Sequence, residues 1–143
     1  MTQRSLLLEK MAYLIYWLML IVSLWILLRG HNAPGGGFIA GLIAVAATSL
    51  LAIVYGCKRA LRTMPLPPLM LVACGILLAL ISGVPGLVDG NPFLTHLWWK
   101  LDLGFTRLKV STVLAFDLGV YAVVWGAFTI YLLALLSDDG ETT

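Results

Sequence analysis

One carboxylate stands alone in the apolar part of this sequence. Asp117 lies inside Val110–Leu136, a run with no other charge. A charged side chain at the centre of a bilayer costs on the order of 2.5–3.5 kcal/mol, so it needs a partner or a water-filled path. Tyr121 stands one helical turn further on. Residues at that spacing share a helix face, which brings its hydroxyl within reach of the carboxylate. Two readings stay open. Asp117 is a proton or cation site, or it bonds to a neighbouring helix or caps its end. At 1.5 Å per residue it lies roughly 10 Å along a helix that starts at Val110, about a third of the way across.

A second feature is the turn Arg29-Gly30-His31-Asn32-Ala33-Pro34-Gly35-Gly36-Gly37-Phe38. Gly30 can end the preceding helix in the left-handed conformation. Pro34, Gly35, Gly36 and Gly37 then open the next one. Exposed N–H groups at a helix start favour anions. No GKS or GKT follows, so the phosphate-loop reading fails. A tight, rigid turn that forms an interface is the stronger reading, with His31, Asn32, Pro34 and Phe38 as its contact residues. Phe38 is the apolar anchor where the next helix enters the membrane. His31 titrates near neutral pH as a type. It is either part of a proton path or an ordinary hydrogen-bonding loop residue.

Other chemistry is not supported. His96 stands alone, and HExxH, GxSxG and Cys/His clusters do not occur. No cofactor fingerprint and no metal pattern is present, and nothing suggests bond-making catalysis. Cys57 and Cys74 form no CxxC pair and read as small packing residues. The net charge of +2 is spread over short loops and gives no nucleic-acid footprint.

The elements that must position Asp117 and the glycine turn follow from composition. Hydrophobic residues make up 61% of the 143 residues and charged ones 11%, against about 25% charged in an average soluble chain. The mean hydropathy is +0.99. A soluble domain this small buries only about 70% of its chain surface and cannot hide so much apolar area. A bilayer can. Four stretches suit a hydrocarbon core that takes about 20 apolar residues to cross: Met11–Leu28, Phe38–Cys57, Leu66–Val84 and Val110–Leu136. Open sheets cannot cross lipid, so the chain is expected to be all-α with four transmembrane helices, in one domain over residues 1–143. Arg4 and Lys10 before an apolar run suit a signal peptide, but no small-x-small site follows, so the first helix reads as retained.

Lys58–Met64 reads as a basic turn, Pro85–Lys109 as the long loop, and residues 137–143 as an acidic tail. In the long loop, Trp98, Trp99 and Lys100 suit the headgroup level. Gly37 and Gly41 stand one helical turn apart, as do Gly75, Ala79 and Gly83, Ala115 and Gly119, and Ala122 and Gly126. Such spacing lets backbones approach closely in lipid. Large residues such as Leu7, Trp17 and Trp25 are then left to face lipid or partners. The short loop with Lys58, Arg59 and Arg62 puts both termini on the cytoplasmic side by the positive-inside rule.

The turn Gly30-His31-Asn32-Ala33-Pro34-Gly35-Gly36-Gly37-Phe38-Ile39-Ala40-Gly41 resembles the signature of the B subunit of Mrp-type (Mnh) multisubunit sodium/proton antiporters. Phe116-Asp117-Leu118-Gly119-Val120-Tyr121 is similar to the last-helix motif of that family. Length, span count and motif order agree over essentially the whole chain. The resemblance implies a small subunit of a hetero-oligomeric complex that exchanges external protons for cytoplasmic sodium. Its partners would be the other Mrp subunits, including large ones related to the proton-pumping subunits of respiratory complex I. One departure stands out. Many members carry a proline shortly before the Phe-Asp motif, whereas this chain reads Ser111-Thr112-Val113-Leu114-Ala115. That leaves the start of the last helix less sharply set.

Two other settings fit parts of the pattern. The same module occurs in membrane-bound hydrogenase-type complexes, where redox chemistry drives ion pumping. Small four-helix multidrug exchangers also carry a key intramembrane carboxylate, but the glycine-rich first turn has no place in that scheme.

Overall fold

The computed structural model of the chain describes residues 3–29, 35–88, 90, 98–102 and 107–138. Its helices are α1 (Gln3–Arg29), α2 (Gly36–Tyr55), α3 (Cys57–Thr63), α4 (Pro68–Val88) and α5 (Thr112–Asp138). Among the described residues four helices are long and apolar enough to cross a membrane: Glu9–Arg29, Gly36–Tyr55, Pro68–Gly86 and Thr112–Leu136. The expected four-span all-α body is therefore present.

The boundaries differ from the sequence reading for local reasons. The basic turn at Lys58–Met64 is mostly the short helix α3. Gly56, at φ 86°, breaks α2, and the N–H groups of Arg59 and Ala60 then bond back to its carbonyl. Ala60 is buried, while Lys58, Arg59 and Arg62 stay exposed. Helix α4 runs through Pro85 to Val88 instead of stopping at Val84. Proline inside a membrane helix is tolerated where neighbouring groups satisfy the freed backbone. Helix α2 starts at Gly36, two residues before Phe38.

The long loop holds a structure that the sequence did not announce. Strands β1 (Trp98–Asp102) and β2 (Arg107–Ser111) pair antiparallel, with Trp98 opposite Ser111 and Asp102 opposite Arg107. Strand β2 passes directly into α5 at Thr112. No proline is needed to set that start. The change from paired strand to helix sets it.

The helices pack in the order α1, α2, α5, α4, with α2 and α5 in the middle. Lipid supplies no hydrophobic drive between helices, so close backbone approach and polar links must hold them. The α4–α5 seam shows this. A Cβ on Gly75 would lie 2.6 Å from the Gly119 carbonyl oxygen, and one on Gly119 would lie 2.7 Å from that of Gly75. Further along, a Cβ on Gly126 would meet the Pro68 carbonyl oxygen at 2.5 Å. Large side chains point away from these seams. Trp17 and Trp25 are about half exposed, at 49% and 58%. Cys57 is half-buried, but Cys74 lies on an exposed face of α4, so the packing expected of it within this chain is not found.

Candidate functional site: a buried row on the last helix

Helix α5 carries one row at four-residue spacing: Asp117, Tyr121, Trp125, Thr129 and Leu133. All five are buried. Side chains four apart lie above one another on a helix surface. The row extends about 24 Å at 1.5 Å per residue. It faces α1 and α2, whereas Gly119 and Gly126 face α4.

Asp117 lies five residues after Thr112, about 8 Å along the helix by the same rise. That is slightly less than the depth expected from a start at Val110. The residue is buried and is not without a partner. The backbone beside it is covered by α2. A Cβ added to Gly37 would overlap the Asp117 carbonyl oxygen and come within 3.0 Å of its Cα. The glycine turn and the Phe-Asp motif are thus two sides of one contact. One turn further, a Cβ on Gly41 would meet Val124 at 2.8 Å and the Tyr121 carbonyl oxygen at 3.2 Å. Helices α2 and α5 therefore run side by side in the same direction, in register through two glycines.

Tyr121 is tied to α1. Ser23, fully buried, places its Oγ 2.8 Å from the Ala40 carbonyl oxygen and 3.3 Å from the Tyr121 hydroxyl. A serine hydroxyl has one proton and two lone pairs. Ser23 donates to the α2 carbonyl at the shorter distance, and Tyr121 donates to Ser23. Three helices meet in that pair of bonds. Trp125 repeats the pattern one turn on. Its indole Nε1–H donates to Thr48 Oγ1 at 2.9 Å, and Thr48 donates to the Ala44 carbonyl at 2.9 Å. The Tyr121 and Trp125 rings lie 5.6 Å apart. At Thr129 the row changes character, because its buried hydroxyl oxygen has no hydrogen-bond partner among the described residues.

The sequence-derived site residues fall into three groups. Asp117 and Tyr121 share the buried row. Gly36, Gly37 and Gly41 are buried in α2, while Gly35 and Phe38 are exposed at its start. Gly35 precedes the helix in the left-handed region, at φ 94°, where a side chain would be strained. Gly30, His31, Asn32 and Pro34 lie outside the described residues. Sequence reasoning missed Ser23, Thr48, Trp125 and Thr129. The four-residue spacing from Asp117 to Thr129 was a readable signal for half of them. Ser23 and Thr48 offered none, because a single hydroxyl in an apolar helix also bonds its own backbone.

This geometry defines a class: a four-span helical membrane protein whose polar groups turn inward onto a row of its last helix, with no hydrolytic or redox constellation among the described residues. Residues 7–130 match the family model described as "Domain related to MnhB subunit of Na+/H+ antiporter". The chain is 40% identical over 138 residues to the Na(+)/H(+) antiporter B subunit of Bacillus subtilis, covering 94% of both chains. It is 34% identical over 136 residues to the Na(+)/H(+) antiporter B subunit of Alkalihalophilus pseudofirmus, covering 93% of both. Its fold matches part of a solved chain in the Mrp complex from Dietzia sp. DQ12-45-1b, at a TM-score of 0.77 and 31% identity. That match covers 92% of this chain and 14% of the solved one. The chain belongs to the MnhB family of antiporter B subunits, and it is a multi-pass membrane protein of the prokaryotic plasma membrane.

Proposed function

We propose that this chain is a small, non-enzymatic subunit of a multisubunit Na+/H+ antiporter of the Mrp type. It works in the assembly with the other Mrp subunits, including large complex-I-like ones, as a secondary antiporter in which one ion gradient drives the other and supports pH homeostasis. The observation that carries the reading is the near full-length match to relatives named as Na(+)/H(+) antiporter B subunits. The hydrogenase-type setting and the self-standing small transporter are not favoured by those relatives. Both termini face the cytoplasm, as the basic α3 segment suggests.

Within the assembly, Asp117 is the group through which this chain touches the ion or proton path. It is the one Asp, Glu, Lys, Arg or His well inside a described span. Such residues are costly in a bilayer and by default mark a functional site. Tyr121 helps hold that face through Ser23. His31 is assigned to the same path and the turn Gly30–Phe38 to the interface, while Gly37 and Gly41 brace that turn from within the chain, against α5. The exposed Phe38 offers a neighbour an apolar contact beside the buried glycines.

Everted membrane vesicles test the reading. In cells that lack this chain, sodium addition should no longer collapse a preformed proton gradient. Restoring the wild-type chain should restore the response. With Asp117→Asn the assembly should form, but the pH profile or the sodium dependence should shift. Full sodium/proton exchange without the chain would remove the subunit reading. An unaltered profile in the Asp117→Asn assembly would leave Asp117 structural.

A further inference from the structure

A cleft of about 490 Å³ lies at the N-terminal end of α1, lined by Lys10, Tyr13, Leu14, Trp17, Tyr55 and Arg59. It takes no part in the buried row. Its position is set by the spans: the apolar stretch of α1 begins at Glu9, and that of α2 ends at Tyr55. The cleft therefore opens at the boundary between water and hydrocarbon, on the side where the termini lie.

Its two halves differ chemically. Lys10 and Arg59 form a basic rim, with Lys58 and Arg62 exposed on the same short helix as Arg59. Glu9 is the neighbouring acid, and its backbone carbonyl accepts the Tyr55 hydroxyl, which ties the end of α2 to the start of α1. The wall is aromatic. Tyr13 packs edge-on against Trp17 and Tyr55, each with ring centroids 6.5 Å apart, and the Arg59 guanidinium sits 4.6 Å from the Tyr55 ring centre. Trp17 lies about 10 Å further along α1 than Lys10. Leu14 and Trp17 are exposed in the membrane part of the cleft, at 53% and 49%.

We infer that this cleft binds one anionic phospholipid, its phosphate between Lys10 and Arg59 and one acyl chain along Leu14 and Trp17. A soluble anion would use the rim and leave the apolar floor empty. A zwitterionic lipid would use the floor, but its ammonium would face two cations. Only a ligand with an anionic head and an apolar tail matches both halves. Basic groups beside a membrane recognise acidic headgroups through their charge, and tyrosine and tryptophan settle at headgroup level. The inference is independent of the transport reading.

The test uses the assembled protein in native membranes, loaded with phosphatidylglycerol or phosphatidylcholine that carries a photoactivatable acyl chain. After illumination, adducts are mapped on peptides of this chain. The phosphatidylglycerol probe should label the Leu14–Trp17 segment at least about fivefold more than the phosphatidylcholine probe, a margin that one of the two basic contacts already supplies. Lys10→Gln with Arg59→Gln should abolish that preference, while Lys58→Gln with Arg62→Gln should keep most of it. Equal labelling by both probes in the wild type would overturn the inference, whether or not the variants assemble. So would no labelling by either probe, which would mean that a protein covers the cleft, or an equal loss in both double variants, which would mean unspecific charge attraction.

Discussion

Gly37 rests directly on the backbone carbonyl of Asp117, eighty residues further along the chain. The contact joins the start of α2 to the first turns of α5 and leaves no room for a side chain. It explains why a glycine stands there whatever Asp117 does chemically.

Gly37→Ala should therefore destabilise the fold by about 1–3 kcal/mol, the usual cost of forcing an extra methyl into a packed contact. The neighbour is backbone and cannot rotate away. Thermal unfolding of the detergent-extracted assembly checks this. A variant as heat-stable as the wild type would mean that α2 and α5 stand further apart than described.

Ser23 and Tyr121 should show an energetic coupling. Ser23→Ala, Tyr121→Phe and the double variant form a cycle. Side-chain hydrogen bonds between membrane helices average about 0.6 kcal/mol in such cycles. A coupling of that size is expected in unfolding measurements, and strictly additive losses would refute the link between α1 and α5.

Thr48 and Thr129 should respond in opposite ways to the same change. Thr48→Val leaves the buried Trp125 N–H without its acceptor and should cost about 1–3 kcal/mol. Thr129→Val removes a hydroxyl that has no partner among the described residues, so it should be neutral or stabilising. Unfolding midpoints of the two variants decide it. A large loss at Thr129 would show that its hydroxyl is satisfied in the assembly.

Gly119→Leu should part α4 from α5 without touching the buried row, since Gly119 faces Gly75 and Ala79. Cross-linking between cysteines placed on α4 and α5 should fall sharply, while the coupling of Ser23 to Tyr121 persists. Loss of both together would mean that the two seams fold as one unit.

Much of this was legible in the sequence because lipid imposes few solutions. The span count, the shared helix face of Asp117 and Tyr121, and the small-residue seams all follow from runs of apolar residues and a four-residue spacing, whereas the bond of the Tyr121 hydroxyl to Ser23 does not. What stayed hidden depends on contacts between distant segments. The docking of Gly37 onto Asp117 joins two motifs that the sequence could only set side by side as separate features. Ser23 is one hydroxyl in an apolar helix, and only the fold reveals that it holds α2 and α5 at once. The pairing of Trp98–Asp102 with Arg107–Ser111 was obscured by its position, since two short strands between long apolar helices carry no strong period. The helix at Cys57–Thr63 read as a turn because it is short and basic, yet Gly56 restarts the chain into it.

On the proposed function, this chain works only within a larger antiporter assembly. Purification of the tagged chain from native membranes in mild detergent, with mass spectrometry of its companions, tests this most directly. Large complex-I-like subunits and other small antiporter subunits should come with it, without nickel or iron–sulfur proteins. Recovery of the chain alone or as a homo-oligomer would contradict it, and hydrogenase-type companions would contradict the antiporter assignment.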